Sequence, residues 1–397
     1  MSECSVDVAE LDFKLRDELN GYLEELIACE GSDLHIKAGG VIRKRVNGEI
    51  VPISNGRVLS QAEALTLAKE LLRGRFGELV KNKSIDFTHK LNDLYRFRVN
   101  LFFQMDGVSA VFRVIPANIP TAEQLHLPSV VENICETIYR GIILVTGPTG
   151  SGKSTTLASM IDYINVHRKA HIITIEDPIE FVYKDKNCII NQRSVGQDAL
   201  DFPTALRGAL REDPDIILVG EMRDLATVEI ALQAAETGHL VLSTLHTIDA
   251  KDTIKRIVGM FPGNEQNRIK LTLASALKAI ISQRLCRTTD RKRTAALEIM
   301  ISTPRIKNMI IENRDEEIRD AIEESSHESG MRTFDHDLLR LYSAGRISRE
   351  EALANATTPN DLALRLNAAD MKEELDASGN NSNLKREPVT IALKKID

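Results

Sequence analysis

The run Gly147-Pro148-Thr149-Gly150-Ser151-Gly152-Lys153-Ser154 leaves this chain few choices of fold. It fits G-x-x-x-x-G-K-[ST], with the apolar run GIILVT before it and the helix-like STTLASMIDYI after it. Glycines let backbone N–H groups turn toward phosphate oxygens, and the N-terminus of the following helix adds partial positive charge. A glycine-rich turn without a strand and a helix around it lacks that field. In this setting Lys153 is expected to reach the β- and γ-phosphates and Ser154 to ligate Mg²⁺, with Thr155 completing the cofactor-binding set. The expected cofactors are therefore ATP and Mg²⁺.

The chain downstream agrees with an α/β class. GIILVTG, HIITIE, DIILVGE and HLVLSTLH alternate with helical stretches. Continuous apolar strands between helices indicate a mostly parallel sheet covered on both faces. From about residue 265 the chain is expected to be mainly helical, with Ser348 and Glu351 forming a capping box before EALANA. Residues 370–397 are polar, include ASGNNSN, and are expected to form a mobile tail.

Upstream the rhythm differs. Leu11, Leu15, Leu19, Leu23 and Leu26 recur at helical spacing. DLHIK and VIRKRV read as short strands, and Asn47-Gly48 as a hairpin turn before EIVPI. In YRFRVNLF, Tyr95, Phe97, Val99 and Leu101 share one face, and Arg96, Arg98 and Asn100 the other. Three prolines fall within 116–128. The expected organisation is a small α+β domain over 1–115, a linker over 116–128, a phosphate-loop domain over 129–369 and a tail over 370–397.

Composition narrows the function. A net charge of −7 and the absence of Trp argue against a surface built to neutralise or stack on nucleic acid. The cysteines (Cys4, Cys29, Cys135, Cys188 and Cys286) include no C-x-x-C pair, which predicts reduced thiols in a cytosolic protein. The N-terminus lacks a signal-peptide core, and no run approaches the roughly 18 apolar residues of a membrane span. Membrane association is thus expected only through a partner.

The stretch IITIEDPIE sets Glu176, Asp177 and Glu180 at the end of an apolar run. Three acids this close repel unless a metal, a cation or a proton offsets them. A second apolar strand ends in Gly220-Glu221, where many phosphate-loop enzymes carry Asp-Glu. With that aspartate missing, another carboxylate must substitute. Glu180 and Glu221 are expected in water activation and in the metal shell. Glu176 and Asp177 complete that shell or orient their neighbours. The bland alternative is a solvated acidic strand end. His239 and His246 bracket a further strand; His246, at its carboxyl end, is the favoured γ-phosphate sensor, with His239 second.

Taken together, GPTGSGKS, IITIEDPIEF, ALREDPDIILVGEMRD and AETGHLVLSTLHT resemble the PilT/PilU twitching-motility ATPases, retraction motors of type IV pili within the secretion ATPase superfamily. The likeness runs from GSDLHI at 31 to about 365. It implies a PAS-like N-terminal domain, a RecA-like ATPase domain and a homohexamer at the cytoplasmic base of the pilus machine in the inner membrane. The partners implied are a platform protein of that membrane and a paralogous retraction ATPase. On this likeness Glu180 aligns with the catalytic glutamate, Glu221 with the Walker B glutamate, and His239 and His246 with the His box. Arg98 and Arg113 match N-terminal-domain arginines that approach nucleotide. From the residues alone, those arginines equally suit a solvated strand face.

The resemblance has one departure. The family's retraction motif, AIRNLIRE, falls on Arg305–Glu312, where Ile306, Asn308, Ile310 and Glu312 match but Lys307 and Ile311 replace its arginines. Arg→Lys loses the planar fork. A principal retraction motor, a PilU-like accessory motor and a nucleotide-dependent scaffold therefore remain open. An extension or type II secretion ATPase would carry a tetracysteine zinc motif, which this chain lacks.

Overall fold

The computed structural model describes residues 12–379 except 47, 55, 93, 117 and 326–328. Leu11, Cys4, Asn47 and the expected tail beyond Gly379 lie outside the described residues. The chain divides into two compact units. One comprises Met1–Val145, Lys153–Leu245 and Lys255–Ala279, the other Thr146–Gly152, His246–Ile254 and Ile280–Asp397.

The first unit opens with α1 (Lys14–Ala28) and an antiparallel sheet. Its strands are β1 (Asp33–Lys37), β2 (Arg43–Val46), β3 (Glu49–Pro52), β4 (Ser84–Lys90), β5 (Arg96–Gln104) and β6 (Gly107–Ile115), in the order β3-β2-β1-β6-β5-β4. Helices α2 (Gln61–Leu72) and α3 (Phe76–Asn82) lie between β3 and β4 in the chain. A reciprocal capping box between Ser60 and Glu63 starts α2. The alternation of β5 is realised: Phe97, Val99 and Leu101 enter a core with Leu19, Leu23 and Leu26 of α1, while Arg98 faces outward. The register aligns Arg45, Asp33, Arg113 and Arg98 in one row across β2, β1, β6 and β5.

The same unit holds α4 (Ser129–Thr137), β7 (Gly141–Thr146), α5 (Lys153–His167), β8 (His171–Glu176), β9 (Ile189–Ser194), α6 (Phe202–Ala209), β10 (Ile216–Val219), α7 (Leu225–Glu236) and β11 (Leu240–Leu245). The strand order is β7-β11-β10-β8-β9, and β9, β8, β10 and β11 run parallel. Every residue of β7, β10 and β11 is buried, as strands packed on both faces require. Parallel pairing brings the carboxyl ends of β8 and β10 together, and those ends carry Glu176 and Gly220-Glu221.

Helix α8 (Ala250–Gly259) begins in the second unit, and α9 (Gln266–Ala276) belongs to the first. The expectation of a mainly helical chain from 265 needs correction. Two long strands, β12 (Leu277–Arg287) and β13 (Arg293–Ile301), intervene as sheet neighbours. The apolar, buried residues of β13 and of the start of β12 suit a buried strand as well as a buried helix.

Beyond them come α10 (Pro304–Ile311), α11 (Ile318–Glu324), α12 (Phe334–Ser343), α13 (Arg349–Ala354) and α14 (Pro359–Gly379). Ser348 caps α13 by accepting from Glu351 N, but the Glu351 carboxylate accepts from Arg287 N instead of closing the box. Helix α14 also runs past residue 370, where the tail was expected to start. Asp370 holds it there, accepting from Tyr342 Oη at 2.7 Å and Arg349 Nη1 at 2.8 Å. No helix among the described residues is long and apolar enough to cross a membrane.

Asp337 of α12 is the polar anchor of the second unit. Its fully buried carboxylate accepts from Leu297 N of β13, Arg332 and Arg340. Removing one partner of such a group strands the others. Asp337→Ala should therefore lower unfolding free energy by about 3–5 kcal/mol, read as a reduced denaturation midpoint.

Candidate active site

The phosphate loop begins at Thr146, whose hydroxyl donates to Ser282 Oγ at 2.9 Å. Gly147, Gly150 and Gly152 all adopt positive φ, at 145°, 80° and 91°. At Gly147 the need for glycine is also steric. A Cβ there would lie 2.5 Å from the Gln283 carbonyl oxygen and 2.6 Å from Ser151 Oγ. Pro148 O accepts from Ser151 N, and Gln283 Nε2 donates to Ser151 O at 3.2 Å. Pro148 and Thr149 are exposed on the loop. Ser151 Oγ is buried without a hydrogen-bond partner among the described residues, an arrangement that suits a bound polar ligand.

Lys153 opens α5 and is only 8% exposed. Burial pushes its ammonium below the ordinary lysine range, while the Glu180 and Glu221 carboxylates pull it back up. Two acids singled out in the sequence thus share the electrostatic field of one lysine. Ser154 and Thr155 follow in the first turn, both half-buried.

Gly220 explains the missing aspartate. Its N–H donates to Ile175 O at 2.7 Å, and a Cβ there would come 3.2 Å from Ile175 O and 3.3 Å from the Glu176 Cα. A larger residue would force β10 away from β8. Thr244 of β11 donates to Gly220 O at 2.6 Å and fixes the same turn. Glu221 is mostly buried and pairs with Arg223 at 2.6 Å. Asp177 sits above its ordinary value, chiefly through loss of solvent; Arg223 and Arg98 oppose that rise, and Glu221 and Asp86 add to it.

Glu176 requires correction as a cofactor-binding residue. Its side chain is buried and its oxygens are occupied. Oε1 accepts from Thr174 Oγ1 at 2.7 Å and Gln192 Nε2 at 3.3 Å, and Oε2 from Glu180 N at 3.4 Å. Burial pushes the carboxyl up to about 7, against those hydrogen bonds. Of the two roles expected for it, orienting neighbours is the one its contacts support. Glu180 itself is exposed, in irregular chain beyond β8.

His239 precedes β11 at the strand's amino end, away from the end where Glu176 and Glu221 lie. Its Nδ1 is engaged by Ala234 O and Thr237 Oγ1 at the close of α7. Those contacts make it a helix-end residue, which corrects its expected place beside nucleotide. His246 follows β11 at the carboxyl end and is exposed. Four residues on, Ala250 N donates to Glu298 Oε1 at 2.9 Å, so β13 anchors the start of α8. Arg98 lies 3.9 Å from Asp86 and acts on Asp177, whereas Arg113 donates to Asp33 at 2.8 Å. Arg223, Thr174, Thr244 and Gln192 also shape the site. Only Arg223 carried a local signal, two residues after Glu221.

No cluster of three or more His, Cys, Asp or Glu residues among those described could hold a metal unaided. Mg²⁺ needs only one or two protein oxygens beside phosphate and water. The Ser154 hydroxyl with Glu180 or Glu221 is a donor set of the right hardness.

The family model of the type II/IV secretion system protein matches residues 10–332. The chain belongs to that family. The type IV pilus retractation ATPase PilT of Pseudomonas aeruginosa is 46% identical over 334 residues, covering 83% of this chain and 95% of that one. The type IV pilus ATPase PilU of the same organism is 38% identical over 350 residues, covering 88% and 91%. A crystal structure of the pilus retraction motor PilT with bound ADP superposes with a TM-score of 0.80 at 44% identity, covering 86% of this chain and 98% of that chain. Within the family, the chain thus falls in the PilT/PilU group.

Burial raises Glu298 from an ordinary value of 4.5 to about 7; the Ala250 N–H opposes the rise, Asp249 adds to it, and Arg284 and Arg319 oppose it. Because the folded value lies above the unfolded one, the stability this acid confers is complete below about pH 4.5 and lost as pH rises through 7. The melting temperature of Glu298→Gln, relative to wild type, should therefore climb between pH 5 and pH 8 in paired thermal scans.

Proposed function

We infer that the protein is an Mg²⁺-dependent ATPase and the motor of type IV pilus retraction. The observation that carries this reading is Lys153 at the head of α5, with Glu180 and Glu221, which lie beyond the carboxyl ends of neighbouring strands, in its field. The loop amides from Gly147 to Ser154 bind and orient the phosphates. Lys153 balances charge on the β- and γ-phosphates. Ser154, with Glu221 and Glu180, would hold Mg²⁺, which when bound neutralises charge on the phosphate oxygens. Glu180 accepts a proton from the attacking water, and His246 senses the γ-phosphate. Arg98, already acting on Asp177, supplies positive charge from the N-terminal sheet. Arg113 is the second candidate there, and its bond to Asp33 must loosen before it reaches nucleotide.

The motor works as a homohexamer in the cytoplasm, against a platform protein at the inner-membrane base of the pilus. The likeness to PilT and the PilT structure supports retraction over extension. A second reading, an accessory motor acting beside a paralogue, is favoured by one observation. Ile306 and Ile310 of the altered motif are buried in the core, but Ile311 is an exposed apolar residue where the family motif has arginine.

Purified protein should hydrolyse ATP only with Mg²⁺. Glu180→Gln should lower kcat by about a hundredfold or more while nucleotide binding persists. Lys153→Ala should lose binding and fail to restore retraction in a deletion strain. Wild-type hydrolysis by Glu180→Gln would contradict the assignment.

A further inference from the structure

We propose that Gln192 is a positioning residue for hydrolysis, clamping the irregular segment that carries Glu180 so that its carboxylate stays beside Lys153. The proposal rests on the reading of Glu180 as the group that activates water.

The need for a clamp follows from local structure. Residues 177–188 belong to no helix or strand, so no ladder fixes the Glu180 backbone. What holds it are side chains on both flanks. Before it, the Glu180 N–H reaches Glu176 Oε2 at a long 3.4 Å. After it, Phe181 O accepts from Gln192 Nε2 at 2.8 Å, and Tyr183 N donates to Gln192 Oε1 at 2.9 Å. The amide of Gln192 thus imitates a strand neighbour for Phe181–Tyr183. The same Nε2 lies 3.3 Å from Glu176 Oε1, so one side chain braces both flanks of Glu180.

The clamp has a rigid base. Gln192 sits on β9 directly opposite Thr174 of β8, and Thr174 Oγ1 bonds the same Glu176 oxygen at 2.7 Å. The rings of Phe181 and Tyr183 are buried beside the segment. Glu180 is therefore held by neighbours that leave its own carboxylate uncommitted to packing. Misplacing a reacting group by about an ångström costs on the order of a hundredfold in rate.

The test compares Gln192→Met, which keeps length and removes both polar atoms, with Gln192→Asn, which keeps an amide too short to span both contacts. Full-length protein is assayed for kcat, KM for ATP, melting temperature and particle size, with Glu180→Gln and the double variant Glu180→Gln/Gln192→Met in parallel. The proposal expects Gln192→Met to lower kcat by about tenfold to a hundredfold with KM little changed. It expects Gln192→Asn to fall between Gln192→Met and wild type. It also expects Gln192→Met to cost nothing further in the Glu180→Gln background, because the positioned group is already gone. Wild-type kcat in Gln192→Met would overturn it. So would a fall in kcat, KM and melting temperature together in both variants, which marks a structural role only. If Glu180→Gln itself turned over ATP normally, the underlying assignment would fail and the proposal with it, whatever Gln192 did.

Discussion

A buried ammonium is stable only while opposite charge stands near it, and Lys153 imposes that demand on everything around the phosphate loop. Burial weakens its protonated form, and Glu180 and Glu221 offset part of that loss. Carboxylates that follow two adjoining parallel strands can answer one lysine only if those strands are close. Gly220 permits this, since its bare α-carbon lets β10 run against Ile175 and Glu176 of β8. Arg223 then holds Glu221, and Thr244 holds the turn. The acids that would repel one another in isolation are thereby sorted. Glu176 goes inside, bonded and with its carboxyl pushed up to about 7 by burial, Glu221 pairs with arginine, and Glu180 is left at the surface.

Much of this was legible in the residues. The loop from Gly147 to Ser154 announced its strand and helix because phosphate binding needs both. The alternation in β5 announced its two faces because the strand period is two. The acidic stretch announced a charge problem, though not its solution. Glu176, Asp177 and Glu180 look alike in one dimension, and only burial sets Glu176 apart from the exposed Asp177 and Glu180. His239 and His246 likewise look equivalent until the direction of β11 puts them at opposite ends. Gln192 was invisible because its partners, the Phe181 and Tyr183 backbone and the Glu176 carboxylate, are distant in sequence. The strands β12 and β13 were hidden by apolar runs that suit either periodicity. The last stretch of α14 looked like tail because its polar composition conceals the hold of Tyr342 and Arg349 on Asp370.

The N-terminal sheet raises a related issue of charge. Arg45, Asp33, Arg113 and Arg98 form one row across four strands. Asp33 neutralises part of it, and Arg98 remains half exposed and felt by Asp177. Asp86, 3.9 Å from Arg98, offsets a further part of the row's positive charge. The exposed Ile311 on α10 presents the converse case, an apolar residue where the family motif has charge.

The most direct measurement is a structure of the protein with Mg²⁺ and a non-hydrolysable ATP analogue. The account predicts Lys153 on the β- and γ-phosphates, Ser154 on the metal, and the Glu180 carboxylate within hydrogen-bond reach of a water facing the γ-phosphate. A triphosphate bound elsewhere, or Glu180 turned away from it with Gln192 still bonded to Phe181, would contradict it.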